Sequence, residues 1–406
     1  MKFLKYLLWL LPFVLPTYLI RLSIVRLPTT VLELYLIVLV ASFTWMRGWS
    51  GWRDGWRRLA FFRWPILAWF VVSLISVFVA PDIVKGFGLW RAYVLEPLLV
   101  LVIATDLLRS EEDKKRLTRS LFLVVPLLTL WALFQFVTGY GISHPWNVAM
   151  MAGRRATGPF LYPNALALFV TPIAALAFCT WLKEKRNFFA LSAWVGALLT
   201  LMLAKSDGGL IAWLVVAFIA LAINRKTRWW TVGAVMVLLV GIIASPFRGK
   251  IWNELTFQGW SGQVRLFQWR ETRQMLQDHW FWGSGFGGYP TVFKPYHRAT
   301  AIEIFQYPHN ILLNFWTETG LLGVLAFGWI IGTWVASSKQ QVASSRSQSE
   351  SCYVLRATCY PAIAPLLAIL IHGLVDVPYF KNDLAMVFWL LLFVTIMSQE
   401  AKKIST

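Results

Sequence analysis

Apolar runs long enough to cross a bilayer recur along almost the whole chain. They fall at 4–20, 29–46, 64–80, 92–108, 120–138, 161–182, 188–204, 209–223, 229–245, 310–335, 357–373 and 383–398. A hydrocarbon core of roughly 30 Å asks for about 17–25 such residues in a helix. The core offers no water to backbone N–H and C=O groups, so a helix, which bonds them internally, is the predicted form. Pro12, Pro126 and Pro172 lie inside runs, where neighbouring helices can satisfy the groups they free. One long polar stretch, Pro246 to Pro308, interrupts the pattern. The reading is an all-α polytopic membrane protein with about twelve transmembrane helices and one large extracytoplasmic loop. Residues 1–245 hold nine spans, 246–308 form the loop with an amphipathic helix, and 309–406 hold three spans and a cytoplasmic tail.

Composition agrees, with 58% hydrophobic and 14% charged residues. The net charge of +19 is mainly a topology signal. Arg47, Arg53, Arg57, Arg58 and Arg63 share one loop, and Arg109, Lys114, Lys115, Arg116 and Arg119 another. Lys183, Lys185 and Arg186 continue the series, then Arg225, Lys226 and Arg228, then Lys339, Arg346 and Arg356. Alternate short loops carry few cations, so the basic set and both termini are expected inside, and 246–308 outside. Membrane lipids are the expected partners of the basic loops; nucleic acid is not, because these loops are short and anchored. The first run lacks a small-residue cleavage site, so no cleavable signal peptide is expected. Cys179, Cys352 and Cys359 give no disulfide framework. The histidines at 144, 279, 297, 309 and 372 are too scattered for a metal motif. The stretch 339–350, KQQVASSRSQSE, has the composition of a flexible cytoplasmic loop.

Candidate chemistry gathers on the outer side. In QVRLFQWRETRQMLQDH (263–279) a helix would place Arg265, Trp269, Arg273 and Leu276 within roughly an 80° arc. That face is either an interfacial anchor or a set of guanidinium forks for phosphate oxygens. HWFWGSGFGGYP (279–290) allows tight turns and close backbone approach, with no strand or Lys-Ser/Thr to make it a nucleotide loop. His309 opens the tenth span, with Asn310 beside it; it is either a hydrogen-bonded helix start or a base for a sugar hydroxyl. GRRATGPFLYPN (153–164) puts Arg154 and Arg155 just before the sixth span, with Asn164 at its start. Arg91 begins the fourth span. Snorkelling to headgroups is the plain reading of these arginines, although the orientation rule disfavours outside cations. Carboxylates in or beside spans, Glu33, Glu96, Glu318 and Asp376, normally face a partner or a cavity. Glu318, about 13 Å along a helix from His309, is not expected to touch it. Glu33 and Glu96 are alternatively read as simple partners of arginines, although Arg91 is too near Glu96 in sequence to be an obvious helical partner.

These residues carry a resemblance. The chain resembles the O-antigen ligase and O-antigen polymerase family of bacterial envelope glycosyltransferases. The matching elements are RATGPFLYPN (155–164), Arg265 ahead of Trp269, GSGFGGYP (283–290), PHNILLNFWTETGLLG (308–323) and HGLVD (372–376). They cover the C-terminal two thirds in the family's order, whereas the first third matches only as generic spans. The resemblance implies a GT-C-like enzyme of the bacterial plasma (inner) membrane that inverts the anomeric centre and needs neither metal nor cofactor. Its donor would be a glycan on undecaprenyl diphosphate, and its acceptor a hydroxyl of lipid A core or of another lipid-linked glycan. Arg155 and Arg265 would bind the diphosphate, and His309 would act as base or position the acceptor. Arg154, Arg91, Asp376 and Asn310 complete the candidate substrate contacts. One departure is AKSDGG (204–209), where Asp207 stands in place of a frequent family arginine and Lys205 is the nearest replacement charge. A twelve-span transporter of lipid-linked sugars shares the composition, but major-facilitator transporters carry their long loop between two halves on the cytoplasmic side. A non-catalytic scaffold gives no reason for outward arginines near His309.

Overall fold

The computed structural model describes residues 1–24, 27–223, 226–245, 248–299, 301–344 and 352–397. Helix dominates them. In chain order these are α1 (Lys2–Val14), α2 (Val31–Arg58), α3 (Arg63–Val79), α4 (Ile83–Trp90), α5 (Glu96–Leu107), α6 (Glu111–Thr138), α7 (Pro163–Lys183), α8 (Phe188–Ala204) and α9 (Asp207–Ile223). They continue as α10 (Arg228–Ala244), α11 (Arg248–Leu255), α12 (Trp260–Asp278), α13 (Tyr289–Phe293), α14 (Ile311–Ser344), α15 (Cys352–His372) and α16 (Asn382–Leu392). Each apolar run falls on one of them. Six stretches, 31–58, 60–79, 83–107, 111–138, 163–183 and 311–338, are long and apolar enough to cross a membrane. Shorter apolar helices lie at 188–204, 207–223, 361–372 and 382–395. The class is therefore polytopic and helical. One addition was not expected: β1 (Arg21–Ile24) and β2 (Leu27–Thr30) pair antiparallel, with Arg21 opposite Thr30.

Local signals explain the helix boundaries. Thr30 accepts the Glu33 N–H, and the Glu33 carboxylate accepts the Thr30 N–H at 3.1 Å, a capping box that starts α2. This helix runs past its apolar stretch because Gly48, at φ +55°, bends the chain without ending it. The Ser110 hydroxyl caps α6 by accepting the Asp113 N–H at 3.0 Å, and Glu111, Glu112 and Asp113 favour the positive end of the helix dipole. Gly139, left-handed at φ +74°, closes α6. The central helix is α7, which packs on α8, α9 and α15. Of its apolar stretch 83% is buried, against 28% for α2. Its many alanines, among them Ala167, Ala174 and Ala177, all fully buried, let neighbouring helices approach closely.

The helix after His309 is broken. Gly320 takes φ +67° and ψ −174° inside α14, and backbone groups freed at membrane depth need partners. The stretch 281–288 supplies them. Leu321 N–H donates to the Phe281 carbonyl (3.0 Å), Ser284 N–H to the Thr317 carbonyl (2.7 Å) and Gly287 N–H to the Glu318 carboxylate (2.6 Å). A Cβ on Gly320 would overlap the Phe281 carbonyl, and one on Gly285 would overlap the Ala80 backbone. The glycines thus let this segment wedge into the break, and Glu318 anchors it. Gly320→Ala is expected to destabilise the detergent-solubilised protein by about 2–5 kcal/mol, from left-handed strain plus steric overlap. Its thermal unfolding midpoint would fall accordingly; an unchanged midpoint would mean the break is not packed this way.

Charges collect at the two ends of the bundle. At one end Arg47 reaches Asp106 through two N–H groups (2.8 and 3.0 Å), Arg109 joins them at 2.6 Å, and Lys5 pairs with Asp113 at 2.6 Å. At the other end Arg91 lies between Glu33 (2.6 Å) and Glu96 (3.4 Å). Both carboxylates thus pair with an arginine, and the contact of Arg91 with Glu96 is the one that α-helical spacing does not suggest. Residues Arg91–Leu95 form a π-turn, and its i→i+5 step sets those two side chains together. Arg225, Pro246, Arg346 and the tail from 398 onward lie outside the described residues, as do the side chains of Lys339, Cys352, Arg356 and Cys359. Cys179 is buried.

Candidate active site

Four separated stretches meet at the end of the bundle that carries His309. The first is the extended segment before α7. There the Arg155 guanidinium donates to the carbonyls of Ala204 (2.9 Å) and Lys205 (3.1 Å) and to the Asn164 side-chain oxygen (3.2 Å). Its flat face lies over the Trp146 ring, 4.8 Å from the centroid. Asn164, in the first turn of α7, passes the connection on, its amide donating to an Asp376 oxygen at 3.1 Å. Asp376 sits in the turn between α15 and α16. Its other oxygen accepts the Val377 N–H at 2.9 Å and faces His309 Nδ1 at 3.4 Å. The fourth stretch is α12, whose Arg265 donates to the Val375 carbonyl (2.9 Å) and to the Ser261 hydroxyl (2.7 Å).

His309 is held in an uncommon shape. Its φ is +48°, the left-handed region, which non-glycine residues occupy at a cost of about 1–3 kcal/mol and which recurs at functional sites. The ring is wedged between Phe305 and Tyr307, at centroid distances of 5.1 and 5.0 Å. A carboxylate can only accept, so in the neutral imidazole Nδ1 carries the proton and Nε2 is left as acceptor. Asn310 secures the start of α14. Its side-chain oxygen accepts the Leu313 N–H at 3.1 Å, and its amide donates to the Leu374 carbonyl at 3.0 Å. The helix entered from the histidine is thereby tied to the turn bearing Asp376.

Two guanidinium groups lie within electrostatic reach of each other here. Neither Arg155 nor Arg265 forms an ion pair with a carboxylate among the described residues. Burial shifts Arg155 below its usual range; Asp207 opposes that shift, and Arg265 adds to it by like-charge repulsion. Two cations in mutual reach, neither of them ion-paired among the described residues, have the chemistry that an anion would meet. Burial alone would raise the Asp376 carboxyl, yet the hydrogen bond and charge of His309, with His372 and the Val377 N–H, hold it at about 2. It therefore stays ionised behind the imidazole at any working pH. Tyr307, buried and held well above the usual tyrosine range, bonds the Tyr162 hydroxyl at 2.6 Å.

Two expected contacts lie apart from this cluster. The Arg154 guanidinium donates to the carbonyls of Phe136 (3.0 Å), Val137 (2.7 Å), Val148 (3.1 Å) and Ala149 (3.0 Å). It closes the C-terminal end of α6 and does not reach toward Arg155. Arg91 is neutralised by Glu33 and Glu96. Arg273 is exposed, while Trp269 turns inward, its indole N–H donating to the Pro308 carbonyl at 2.8 Å. The Lys205 ammonium donates to the Ala152 carbonyl. No group of three or more His, Cys, Asp or Glu side chains is placed to hold a metal ion among the described residues.

Sequence reasoning passed over three participants. Asn164 was visible in the YPN motif, but only the fold shows it bridging Arg155 to Asp376. His372 is buried, with Nδ1 unpartnered among the described residues, and Gly208 packs so closely that a Cβ would stand 3.3 Å from Nε2. Tyr307 has no signal beyond its place two residues before His309. Comparison with known proteins adds one finding. Residues 191–328 match the family model described as O-antigen ligase, a segment that includes Arg265, the glycine-rich wedge, His309 and the break at Gly320. No curated protein matches the chain. Over residues 191–328 the chain thus matches the O-antigen ligase family model, and that match implies a glycan-transferring enzyme of the membrane.

Proposed function

We propose that this protein moves a glycan from an undecaprenyl-diphosphate carrier to a hydroxyl of lipid A core or of another lipid-linked glycan, at the outer face of the bacterial plasma membrane. The observation that carries the reading is the pair of guanidinium groups, Arg155 and Arg265, neither ion-paired among the described residues, set beside an imidazole backed by an ionised carboxylate. The acceptor oxygen attacks the anomeric carbon, and its proton passes to His309 Nε2. The bond from that carbon to the phosphate oxygen breaks, and its electron pair leaves on the diphosphate. The growing negative charge is met by fixed guanidinium groups, which need no reorganisation at that moment and stand where another design would use a metal. Attack from the face opposite the leaving group inverts the anomeric centre. The orientation rests on charge. The end holding Lys5, Arg47 and Arg109 is the cytoplasmic one by the positive-inside rule, which puts His309 and the 246–308 segment outside and both termini inside.

Incubating the purified protein in liposomes with an undecaprenyl-diphosphate oligosaccharide, with and without lipid A core, tests this reading. Elongation of the lipid-linked chain marks a polymerase, and transfer to lipid A core marks a ligase. Movement of the intact donor across the bilayer, with neither product formed, would overturn the proposal in favour of transport.

A further inference from the structure

A second group of polar side chains lies within electrostatic reach of Tyr307. Its centre is Asp383, in the first turn of α16 and only 1% exposed. The backbone N–H groups of Asp383 and Leu384 and the Tyr18 hydroxyl approach its carboxylate, yet neither buried oxygen has a partner in full hydrogen-bond geometry among the described residues. Leaving such a group short of donors costs several kcal/mol unless something supplies them. Tyr18, Tyr93, Tyr307 and Lys381 all lie within electrostatic reach of it. Lys381 forms no ion pair with Asp383 among the described residues; its ammonium sits over the Tyr162 ring instead, 3.8 Å from the centroid. The Tyr162 hydroxyl in turn bonds Tyr307, whose ring packs on His309 at 5.0 Å. This cluster is therefore linked to the imidazole through Tyr162 and Tyr307, without involving Arg155 or Arg265.

The chemistry of the cluster selects a ligand. One cation and one anion, held apart, leave little net charge, so a second diphosphate is disfavoured: Asp383 would repel it. A carboxylate with capacity left on two oxygens accepts from two adjacent hydroxyl groups, and phenol hydroxyls can donate or accept beside it. Tyrosine rings offer flat apolar faces to the C–H side of a pyranose. A neutral, hydroxyl-rich ring fits all three features.

We infer that Asp383, with Tyr18 and Lys381, forms the subsite for the acceptor saccharide, holding its hydroxyls so that one of them points at His309. The inference rests on the transfer reaction proposed above and adds where the acceptor binds. These are positioning residues, since His309 alone takes the proton. The test is steady-state transfer in liposomes, with an undecaprenyl-diphosphate trisaccharide as donor. The acceptor is whichever of lipid A core or the same lipid-linked trisaccharide the wild type uses. Asp383→Asn is expected to raise the acceptor KM about tenfold, the loss of one hydrogen bond to a charged group, while donor binding, measured separately, and the unfolding midpoint stay unchanged. Tyr18→Phe, which removes one hydroxyl and leaves the ring, should give the same split to a smaller degree. It decides the matter if the Asn variant does not fold. An unchanged acceptor KM in an active variant, or a parallel loss of donor binding, overturns the subsite alone. A wild type that transfers nothing from the lipid diphosphate overturns this inference together with the reading beneath it.

Discussion

His309→Ala is expected to lower kcat for glycan transfer by about 10²–10⁴-fold, the range lost with a general base, while donor binding stays within about twofold of wild type. The separation comes from geometry. The imidazole is held against Asp376 at 3.4 Å and between Phe305 and Tyr307, whereas the guanidinium groups are fixed by other partners, the carbonyls of Ala204 and Val375. Removing the ring leaves those bonds in place. Alanine at a left-handed position also retains the strain that the wild type carries, so a Gly variant is a useful companion. His309→Gly should fold at least as well as the wild type and be equally inactive. Single-turnover transfer by both variants, with the thermal midpoint recorded alongside, checks the expectation. Wild-type turnover by either variant would remove His309 from the chemistry.

Arg265→Ala is the second large effect, a fall of about 10²–10³-fold in kcat, as expected when a preorganised charge is removed from a developing anion. Here donor affinity should fall as well, because the diphosphate is already charged before reaction. Arg265→Lys keeps the charge and loses the fork. The bond to the Val375 carbonyl uses Nε, an atom that lysine lacks, so only partial recovery is expected. Arg155 provides the contrast. Its guanidinium is fixed by three oxygen acceptors and the Trp146 face, and Arg155→Ala should reduce donor binding along with turnover. Titrating each variant with a fluorescent undecaprenyl-diphosphate analogue separates binding from turnover. If Arg265→Ala and Arg155→Ala both keep wild-type affinity and rate, the paired-cation site is refuted.

How much of this was legible in the residues depends on the range of the interaction. The spans were readable because a bilayer imposes a local rule of length and apolarity. His309, Arg155, Arg265 and Asp376 were readable as outward polar residues beside spans, and their meeting in one place matches that reading. Arg154 and Arg155 look equivalent in a string of letters. Only the fold shows that the Arg154 donors end on the carbonyls of Phe136 and Val137. The Arg91–Glu96 pair was not legible from spacing, since an α-helical step cannot anticipate a π-turn. Asp383 was invisible as a site. Its importance lies in the shortage of well-aligned donors to both oxygens, which no local pattern encodes.

The glycine-filled break in α14 has a bearing on how such enzymes could be re-engineered. Exchanging the 246–308 segment for that of a relative, to change the sugars handled, would import a wedge cut for another slot. Gly283 and Gly285 touch backbone at Trp316 and Ala80, and Gly287 bonds the Glu318 carboxylate. A successful chimera must therefore carry the matching half of α14, and the top of α3, along with the loop.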